Sequence, residues 1–504
     1  MITKAITING LYLDSVKMML ISKELRQAKG VIDAVAIMAT KENKEILAAS
    51  GMLVSDITDA KESEIVVVVK AIDNEHADLA IGIANELLRA PSNKDNSSEK
   101  LPQSIDEAVI TMKGANLCLI SVAGKYASAE ADKALDAGLH VMLFSDNVSI
   151  EEELRLKRKA LEKGLLMMGP DCGTAVINGV PLAFSNEISK GDIGIVSASG
   201  TGLQEVIAGL AHRGRGVSQA FGTGGRDGKK EIGGLMLCAC MKYLMDDPNT
   251  KVIVLIAKTP DKEVQDKLVE LIKQTSKWVV VNFLKDISLP DVKNLRYCTS
   301  LDETAQVACE LLGDGKQVEA KMLCSESYLI EPVNERRYIR GLYSGGTLCY
   351  EALQAYSRKF GRYPISNIAS EAEYKMRDVW HSEGDCFIDM GADDFTVGRP
   401  HPMIDYSLRL KKIADEGADN EVAVIMLDVV LGYGAHPDPA SELVSVISSL
   451  PKELAVVCHV LGTEDDPQNM AEQVSKLTAA GVRVFTSHIK AIDHALSIVE
   501  AGRK

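Results

Sequence analysis

The amino-acid sequence predicts an α/β protein built largely from parallel β-sheets. Short apolar runs such as LCLI and VIVLI alternate with amphipathic helical stretches along most of the 504 residues, as they do in βαβ units. Thirty-nine glycines and only 5% aromatic residues favour many tight turns between strands and helices. With 46% hydrophobic residues the chain is too apolar to be disordered and too long for one core, so we expect two to four domains.

The charge and the cysteines exclude several classes of function. Acidic residues outnumber basic residues by 71 to 56, and the net charge of −15 opposes binding to nucleic acid or to an anionic membrane. The ten cysteines lie mostly in apolar runs, and Cys238 and Cys240 form C-x-C with no second pair at metal-ligand spacing. The sequence contains no apolar run long enough for a membrane span or a signal peptide. We therefore expect a cytoplasmic protein with no metal site, no nucleic-acid partner and no membrane partner.

The first part of the chain divides into two units. Residues 1–90 alternate strand-like and helical runs and predict a small α/β domain. Residues 91–103 lie in a stretch rich in Ser, Asn, Lys and Pro, which predicts a linker because it can bury almost nothing. Residues 104–190 return to buried strands and amphipathic helices. The basic stretch RLKRKALEKG in this region is interleaved with acids and leucines and predicts the outer face of a helix.

A two-copy repeat follows. Residues 191–324 and 337–504 each contain a strand, a glycine turn and a helix, and then a second glycine-rich turn, an acidic turn and a buried strand. The second copy carries an insertion, because 25 positions separate Ser199 from Gly224 whereas 47 separate Ser344 from Gly391. Residues 325–336 predict a linker between the copies. The repeat predicts two similar open-sheet domains that face each other.

Glycine-rich turns after strands are the candidate binding sites. In S-x-S-G-T-G a strand ends and a helix begins, so free N–H groups and the helix dipole point at an anion, for which phosphate is the natural candidate. The same pattern is also that of an ordinary serine N-cap. Two such helices could clamp one phosphate between their N-termini. The residues concerned are Ser199, Gly200, Thr201 and Gly202 in the first copy, Ser344, Gly345 and Gly346 in the second, and Gly224 and Gly225 in the next turn.

Three further motifs follow buried strands. GYGAH places Gly434, Ala435 and His436 at the end of a strand, where the histidine could donate to phosphate, act as acid or base, accept a phosphoryl group, or only brace a Pro-rich turn. GADDFTVGRPH contains Gly391, Arg399 and His401, either as an anion site or as a solvated loop. MGPDCG contains Asp171 and Cys172, for which ligand contact is more plausible than a nucleophilic thiol.

These motifs resemble parts of a known enzyme. GPDCG followed by GDIGIVSASGTGLQEV, FGTGG and VIVLIAK resembles the α subunit of succinyl-CoA synthetase, and FIDMGADD followed by VAVIMLDVVLGYGAH resembles the carboxy-terminal ligase domain of its β subunit. The fused order identifies the chain as a member of the FdrA-type, acyl-CoA-synthetase-like family. The resemblance implies a Rossmann-like remnant of the CoA-binding domain at 104–190 and two flavodoxin-like ligase domains at 191–324 and 337–504.

The chain departs from succinyl-CoA synthetase in ways that limit its chemistry. Residues 1–103 contain no G-x-T-G-x-x-G loop for CoA, and no histidine occurs between His212 and His381, where the synthetases carry a phosphorylated histidine. The sequence contains no G-x-x-x-x-G-K-[ST] loop and no room for an ATP-grasp domain. We therefore expect no tightly bound cofactor, inorganic phosphate as a substrate and no use of ATP by the chain alone, whereas CoA binding stays open.

The resemblance implies a subunit of oxamate carbamoyltransferase, which transfers a carbamoyl group from oxalurate to phosphate in allantoin and purine breakdown. Phosphate would lie between Gly200–Gly202 and Gly434–His436. His436 would donate a proton, with His401 as the second choice, and Arg399 would pair with the oxalurate carboxylate.

Two alternatives stay open. One is an ADP-forming acyl-CoA synthetase that acts on another carboxylate, with the ATP and CoA functions supplied by partner subunits. The other is a non-catalytic scaffold subunit. In each case we expect other subunits as partners, and the chain could also form a homo-oligomer.

Overall fold

A computed structural model describes residues 1–503 apart from positions 12, 14, 50, 63, 90–101, 286, 314–335 and 397–399. The chain divides into two compact units, Met1–Gln103 with Thr396–Pro400, and Ser104–Phe395 with His401–Lys504. Most of each predicted linker lies outside the described residues.

The first unit contains a three-stranded antiparallel sheet of order β1-β3-β2. Alternate residues of the central strand pack on opposite faces, with Val67 and Val69 in one apolar cluster and Val66 and Val68 in another. Both faces of the central strand are therefore covered. The elements are β1 Ile2–Ile8, α1 Ser15–Gln27, β2 Val31–Met38, α2 Lys41–Ala49, β3 Ile65–Ala71 and α3 Asn74–Arg89.

The second unit begins with a small parallel sheet of order β4-β5-β6. Ser104 and Ser149 cap the helices α4 and α6 by accepting N–H groups of Glu107 and Glu152. The elements are α4 Ile105–Thr111, β4 Leu117–Ile120, α5 Gly124–Asp136, β5 His140–Leu143, α6 Ile150–Glu162 and β6 Met167–Met168.

A seven-stranded sheet follows, in the order β13-β12-β11-β9-β10-β7-β8. Its strands from β13 to β10 are parallel, whereas β7 and β8 join antiparallel at one edge. Both strands lie before residue 191, where the sequence predicts that the first ligase domain begins. That domain boundary stays a prediction. The elements are β7 Thr174–Ile177, β8 Val180–Ala183, β9 Lys190–Ser197, α7 Gly200–His212, β10 Val217–Gly222, α8 Leu235–Asp246, β11 Val252–Ile256, α9 Lys262–Ile272, β12 Trp278–Asn282, β13 Leu295–Tyr297 and α10 Leu301–Glu310.

The last sheet has six parallel strands in the order β15-β16-β14-β17-β18-β19. The run β19-β18-β17-β14-β16 repeats the run β13-β12-β11-β9-β10 of the previous sheet, and the insertion adds β15. The elements are β14 Tyr338–Tyr343, α11 Gly346–Phe360, β15 Ile365–Ser366, β16 Cys386–Asp389, α12 Asp393–Thr396, α13 Ser407–Gly417, β17 Val422–Val430, α14 Pro439–Ile447, β18 Ala455–Leu461, α15 Met470–Ala479, β19 Arg483–Phe485 and α16 His488–Gly502.

The predicted fold class is confirmed. Every residue of the central strands β11 and β17 is buried, as expected for parallel strands with helices on both faces of the sheet. Among the residues that the structure describes, no helix is both long enough and apolar enough to span a membrane.

One buried lysine corrects the interpretation of the basic stretch in α6. Lys157 is fully buried and contacts Glu153 and Asp227, each at 2.7 Å, so it does not lie on the outer face of the helix. Its ammonium also donates to the carbonyl oxygen of Thr223 at 3.0 Å. Asp227 in turn accepts the N–H of Leu237 in the first turn of α8 at 2.7 Å. Lys157 therefore ties α6 to the glycine-rich loop after β10.

We expect Lys157→Met to destabilise the protein by about 3–5 kcal/mol, because it leaves the buried carboxylate of Asp227 without its cation and leaves Glu153 with Arg226 alone, at 2.9 Å. Lys163→Met is the matched control, since Lys163 is a surface lysine at the end of the same helix. Urea unfolding of both variants measures the difference. Equal midpoints for the two variants would contradict this assignment.

Candidate active site

The candidate site lies where α7 and α11 begin, at the carboxyl ends of β9 and β14. Ser199 caps α7 by accepting the N–H of Gly202 at 3.0 Å. The same hydroxyl lies 2.5 Å from the hydroxyl of Thr347 in the first turn of α11. A Cβ built on Gly345 would lie 3.0 Å from Cγ2 of Thr201, so glycine allows this close approach. The structure therefore brings the two glycine-opened helices together at their N-termini.

The first turn of α7 has the features of an anion site. Gly200 is exposed, and within the described chain the N–H groups of Gly200 and Thr201 have no acceptor. A Cβ built on Gly200 would meet only the hydroxyl of Thr174, at 3.4 Å. Free N–H groups at the positive end of a helix dipole favour a bound anion.

The start of α11 is arranged differently. The N–H groups of Ser344 and Gly345 each donate at 2.8 Å to the carboxylate of Asp428. Asp428 is fully buried and pairs at 2.6 Å with Arg409, which is also fully buried. A carboxylate from β17 therefore occupies the N–H groups that precede α11.

Asp389 ends β16 beside the start of α11. Its Oδ1 accepts the N–H of Gly391 at 2.9 Å, and its Oδ2 faces α11, where a Cβ built on Gly346 would lie 2.4 Å away. Asn367, from the insertion, holds the backbone of Asp389 through two hydrogen bonds of 2.9 Å. Burial raises the pKa of Asp389 to about 6, although Lys258 acts in the opposite direction. This carboxyl group can therefore exchange a proton near neutral pH.

His401 lies next to Gly391. Its Nδ1 accepts the N–H of Met403 at 3.2 Å, which leaves the proton of the neutral ring on Nε2. A Cβ built on Gly391 would lie 2.7 Å from that Nε2 and 2.8 Å from the carbonyl oxygen of Ser344. Burial lowers the pKa of His401 to about 4. The ring is therefore a neutral hydrogen-bond donor at physiological pH.

Asp171 and Lys258 complete the polar lining. Asp171 has a positive φ of 58°. Its surface is open to solvent, but many protein atoms surround its carboxyl group, as is usual for a residue that lines a cleft. This desolvation raises the pKa of its carboxyl group to about 6, while Lys258 lowers it. Lys258 follows β11, is exposed, and also lowers the pKa of Asp389. Our sequence reasoning missed Lys258; the available signal was a lysine at the carboxyl end of a buried parallel strand.

The loop after β10 lies against the loop that carries Asp171. Gly224 has φ of 87°, and a Cβ there would lie 2.3 Å from the carbonyl oxygen of Pro170. Gly225 is exposed. Cys172 is buried, and its thiol donates to the carbonyl oxygen of Thr174 at 3.6 Å. Burial raises the pKa of the Cys172 thiol to about 12, so the group stays protonated and packs instead of acting as a nucleophile.

The GYGAH turn packs against Phe184, whose carbonyl oxygen accepts the hydroxyl of Thr174 at 2.6 Å. Gly434 packs on the ring of Phe184, which would lie 2.8 Å from a Cβ at that position, and the N–H of His436 donates to the carbonyl oxygen of Met403 at 2.8 Å. The start of α7 contacts Thr347 of α11, and the predicted clamp between Gly200–Gly202 and Gly434–His436 stays a prediction.

The His436 ring is held within its own turn. Its Nδ1 accepts the N–H of Asp438 at 3.1 Å, its Nε2 lies 3.5 Å from Glu442, and the ring centroid lies 5.6 Å from that of Tyr406. This geometry matches the bracing alternative, and a catalytic role for His436 stays a prediction. Ala435 lies in the same turn, whereas Arg399 lies outside the described residues.

Behind the site, two glutamates cross between the copies. Glu205 in α7 contacts Nε2 of His459 at 2.7 Å, and Glu351 in α11 contacts Nδ1 of His488 at 2.6 Å. All four side chains are buried. Glu351 also accepts the N–H of Leu301 at the start of α10 at 2.8 Å. Burial raises the pKa of Glu205 and lowers that of His459, but their mutual attraction outweighs burial and leaves Glu205 lowered and His459 raised.

Comparison with known proteins places the chain in a family. A family profile described as CoA-ligase matches residues 342–498, and one described as CoA binding domain matches residues 188–284. Protein YahF of Escherichia coli K12, described as uncharacterized, is 41% identical over 492 residues, which are 94% of each chain. The chain belongs to an acyl-CoA-synthetase-like family. The finer assignment to FdrA-type proteins and to oxamate carbamoyltransferase stays a prediction.

Other proteins to which the chain is similar have named activities. Succinate–CoA ligase [ADP-forming] subunit alpha 1 of Archaeoglobus fulgidus is 28% identical over 229 residues, which are 44% of this chain and 76% of that subunit. The dinucleotide-forming acetyl-coenzyme A synthetase 1 of Ca. Korarchaeum cryptofilum, solved with phosphate and ADP, is 15% identical with a TM-score of 0.36, covering 82% of this chain and 88% of that one.

The amino-terminal region matches a third profile, described as the AllF heavy metal-associated domain, over residues 1–104. The donor set there does not fit a heavy metal. Residues 1–104 contain no cysteine and a single histidine, His76, whose Nδ1 lies 2.8 Å from the carboxylate of Asp73. Among the described residues, no group of three or more His, Cys, Asp or Glu side chains could hold a metal ion.

The pH dependence of unfolding tests the Glu205–His459 pair. His459 contributes fully below its ordinary pKa of 6.5, and this contribution is lost as the pH rises through its raised folded-state pKa. Glu205 contributes above its ordinary pKa of 4.5, and this contribution is lost as the pH falls through its lowered folded-state pKa. We expect Glu205→Gln to lower the urea midpoint most between about pH 4.5 and 6.5, with the loss shrinking at higher pH.

The control for this series is His381→Gln, since His381 forms an exposed pair with Asp378. Its midpoint should differ little from that of the unmodified chain across the same pH range. A loss in Glu205→Gln that stayed constant from acid to alkaline pH would show that the pair is not ionic.

Proposed function

We propose that the chain forms an acyl phosphate from an acyl donor and inorganic phosphate, as a partial reaction of an ADP-forming acyl-CoA synthetase. A phosphate oxygen bonds to the acyl carbon, the bond from that carbon to the CoA sulfur breaks, and the thiol leaves with a proton. The observation that carries this proposal is the meeting of α7 and α11 at Ser199 and Thr347, beside Asp389 and Lys258.

Each group has a role that matches its surroundings. The N–H groups of Gly200 and Thr201 and the dipole of α7 bind the phosphate, and Lys258 balances its charge. His401 donates from Nε2 to the acyl oxygen as negative charge develops there. Asp389 in its protonated form gives its proton to the leaving atom, a role that suits a carboxyl group with a pKa of about 6.

Partner subunits would supply the remaining steps. The Archaeoglobus relative is by name one subunit of an ADP-forming succinate–CoA ligase. This chain has no histidine between His212 and His381 and no phosphate loop of the G-x-x-x-x-G-K-[ST] type. We therefore assign the acyl-phosphate step to this chain, and the nucleotide steps and the binding of the CoA moiety to its partners.

A second candidate is carbamoyl transfer from oxalurate to phosphate, which gives carbamoyl phosphate and oxamate. A phosphate oxygen bonds to the ureido carbon, the bond from that carbon to the oxamate nitrogen breaks, and that nitrogen takes a proton. The observation that favours it is the pair of carboxyl groups Asp171 and Asp389, which can accept the N–H donors of a ureido group.

One assay separates these candidates. The purified chain, with and without the proteins encoded beside its gene, is incubated with phosphate and either succinyl-CoA or oxalurate. Acyl phosphate is trapped as the hydroxamate, and carbamoyl phosphate is measured through ATP formation by added carbamate kinase. Product from succinyl-CoA supports the first candidate and product from oxalurate the second. If a reconstituted complex formed product equally well with a chain inactivated at Asp389 and Gly200, the scaffold alternative would hold.

We expect Gly200→Asp to weaken phosphate binding at least tenfold, because a carboxylate in the first turn of α7 repels the incoming anion by roughly 1–4 kcal/mol. The helix itself should tolerate the change, since acidic residues suit a helix N-terminus and the position is open. Isothermal titration with phosphate measures the effect. Gly82→Asp, at an open and exposed position in α3, adds the same charge elsewhere and should bind phosphate normally.

We expect kcat/KM for acyl-phosphate formation to fall about tenfold per pH unit above about pH 6, as Asp389 loses its proton. Asp389→Asn should lower the rate by about 10²–10⁴-fold and abolish this decline. Asp171→Asn is the matched control, because Asp171 has a pKa in the same range. A decline that disappeared in Asp171→Asn and persisted in Asp389→Asn would transfer the donor role to Asp171.

A further inference from the structure

We propose that the open edge of β1 pairs antiparallel with β1 of a second copy of this chain, so that two amino-terminal units share one six-stranded sheet. The two-fold axis of this pairing passes beside Ala5. The inference does not depend on the proposed reaction, because it concerns the first unit only.

The sheet of the first unit has two edge strands, and β2 is closed from within the chain. The hydroxyl of Ser22 accepts the N–H of Ala36 at 2.8 Å, and Nε of Arg26 donates to the carbonyl oxygen of Ala34 at 3.0 Å. The carboxylate of Asp33 accepts the N–H of Ala34 at 2.9 Å. Because side chains already bond to its backbone groups, the edge of β2 offers little to another strand.

These contacts also show which residues of β1 face outward. Neighbouring residues of a strand direct their N–H and carbonyl groups to opposite sides. Because the groups of Ala34 and Ala36 point away from β3, the residue between them bonds to its partner Val68. The next residue of β3, Val67, therefore bonds to β1, where its partner is Ile6. The residues of β1 whose backbone groups point away from the sheet are Thr3, Ala5 and Thr7.

The outer edge of β1 is open. Within the described chain, no hydrogen bond reaches the backbone groups of Thr3, Ala5 or Thr7 from that side. The neighbouring elements pack on the faces of the strand instead: Ile6 packs on the apolar cluster of α1 and α3, and Ala5 packs on the cluster that contains Ile57. Every residue of β1 is half-buried. The edge therefore offers three N–H donors and three carbonyl acceptors to a further strand.

The sequence of β1, ITKAITI, is complementary to itself in one register. Antiparallel strands exchange pairs of hydrogen bonds only where outward-facing residues stand opposite each other. An axis at Ala5 places Thr3 opposite Thr7 of the second copy and Ala5 opposite itself, which allows six hydrogen bonds. Ile2 then stands opposite Ile8 of the second copy. An axis at Thr3 or Thr7 would leave most of the strand unpaired.

The one charge of β1 suits this register. Lys4 stands opposite Ile6 of the second copy, so two like charges are not directly opposed. The ammonium of Lys4 contacts the carboxylate of Asp78 in α3 at 2.6 Å. A lysine often protects an edge strand from pairing, but this one is directed towards α3. The partner that fits the open edge, the register and the charge is a second β1.

Disulfide cross-linking tests the register. In Ala5→Cys the two thiols meet at the two-fold axis with Cα atoms about 5.5 Å apart, so we expect mild oxidation to give a covalent dimer. Thr3→Cys is the control, because its two copies would lie about 14 Å apart, four residues along the strand. It should cross-link only when Thr7→Cys is also present. Residues 1–104 contain no cysteine, and the unmodified chain gives the background.

Non-reducing gels measure this cross-linking. Thr3→Cys that cross-linked as fast as Ala5→Cys would overturn the inference. No cross-linking above background in Ala5→Cys and in the Thr3→Cys, Thr7→Cys double variant would overturn it as well.

Proline at the axis tests the hydrogen bonds. Ala5→Pro removes an outward N–H and no bond to β3, and proline is tolerated on edge strands. Sedimentation over a range of protein concentrations should show a dimer dissociation constant raised at least tenfold in Ala5→Pro. Ala5→Ser keeps the N–H and should associate like the unmodified chain. Equal association of a folded Ala5→Pro protein and the unmodified chain would overturn the inference.

Hydrogen exchange decides if Ala5→Pro does not fold. The amides of Thr3, Ala5 and Thr7 in the unmodified chain, resolved by fragmentation in the mass spectrometer, should exchange at least tenfold more slowly as protein concentration rises. The amides of Ala34 and Ala36 on the closed edge should exchange slowly at every concentration. Exchange in β1 that did not depend on concentration would overturn the inference. Protection that appeared only when proteins encoded beside the gene were added would assign the edge to another subunit and overturn it too.

Discussion

The candidate site depends on two buried glutamates that each copy of the repeat extends into the other. Glu205 and Glu351 hold the same position, five residues after the first glycine of their helices, and each contacts a histidine of the carboxy-terminal copy. Glu351 caps α10 of the first copy, and Glu205 accepts the N–H of His488 at the start of α16 in the second, at 3.4 Å. Glu205 and His459 need both copies to form their pair, and the N–H of Leu301 in the first copy needs Glu351 of the second. The exchange fixes α7 and α11 side by side, so their N-termini must meet in one cleft.

The chemistry comes from the places where the two copies differ within this symmetric frame. Before α7 the hydroxyl of Ser197 accepts an N–H group, whereas before α11 the carboxylate of Asp428 accepts two. Lys258 extends from the first copy beside Asp389, and Asn367 of the insertion fixes the backbone of that aspartate. Two identical copies of the repeat would present two identical helix starts, and no single carboxyl group would be set apart as the proton donor. Divergence of a few side chains at the strand ends is therefore enough to turn a structural repeat into a site with distinct roles.

Features that depend on local pattern could be predicted from the sequence, and features that depend on distant partners could not. Glycines after apolar runs marked the starts of α7 and α11, and the order of motifs revealed the repeat, because strand period and turn chemistry are local. Lys157 looked like a surface residue because its partner Asp227 is 70 positions away. The sequence left the GYGAH histidine with both a catalytic and a bracing role, because its ring contact with Tyr406, 30 positions away, is not visible in the local pattern. An aspartate within the apolar run of β17 was a visible signal that the pattern alone did not interpret.

The raised pKa values also bear on how an acidic protein could admit phosphate, as the proposed function requires. The chain carries a net charge of −15, and the cleft contains Asp171 and Asp389 beside a phosphate site, so fully ionised carboxylates would oppose binding. With pKa values of about 6, both groups can take up protons at a small cost when an anion arrives. A bound anion favours the protonated form further, by the same reciprocity that couples any two binding events. In the proposed reaction, phosphate binding would therefore load the proton on Asp389 that the leaving atom later needs, and the barrier to anion entry would become part of the acid catalysis.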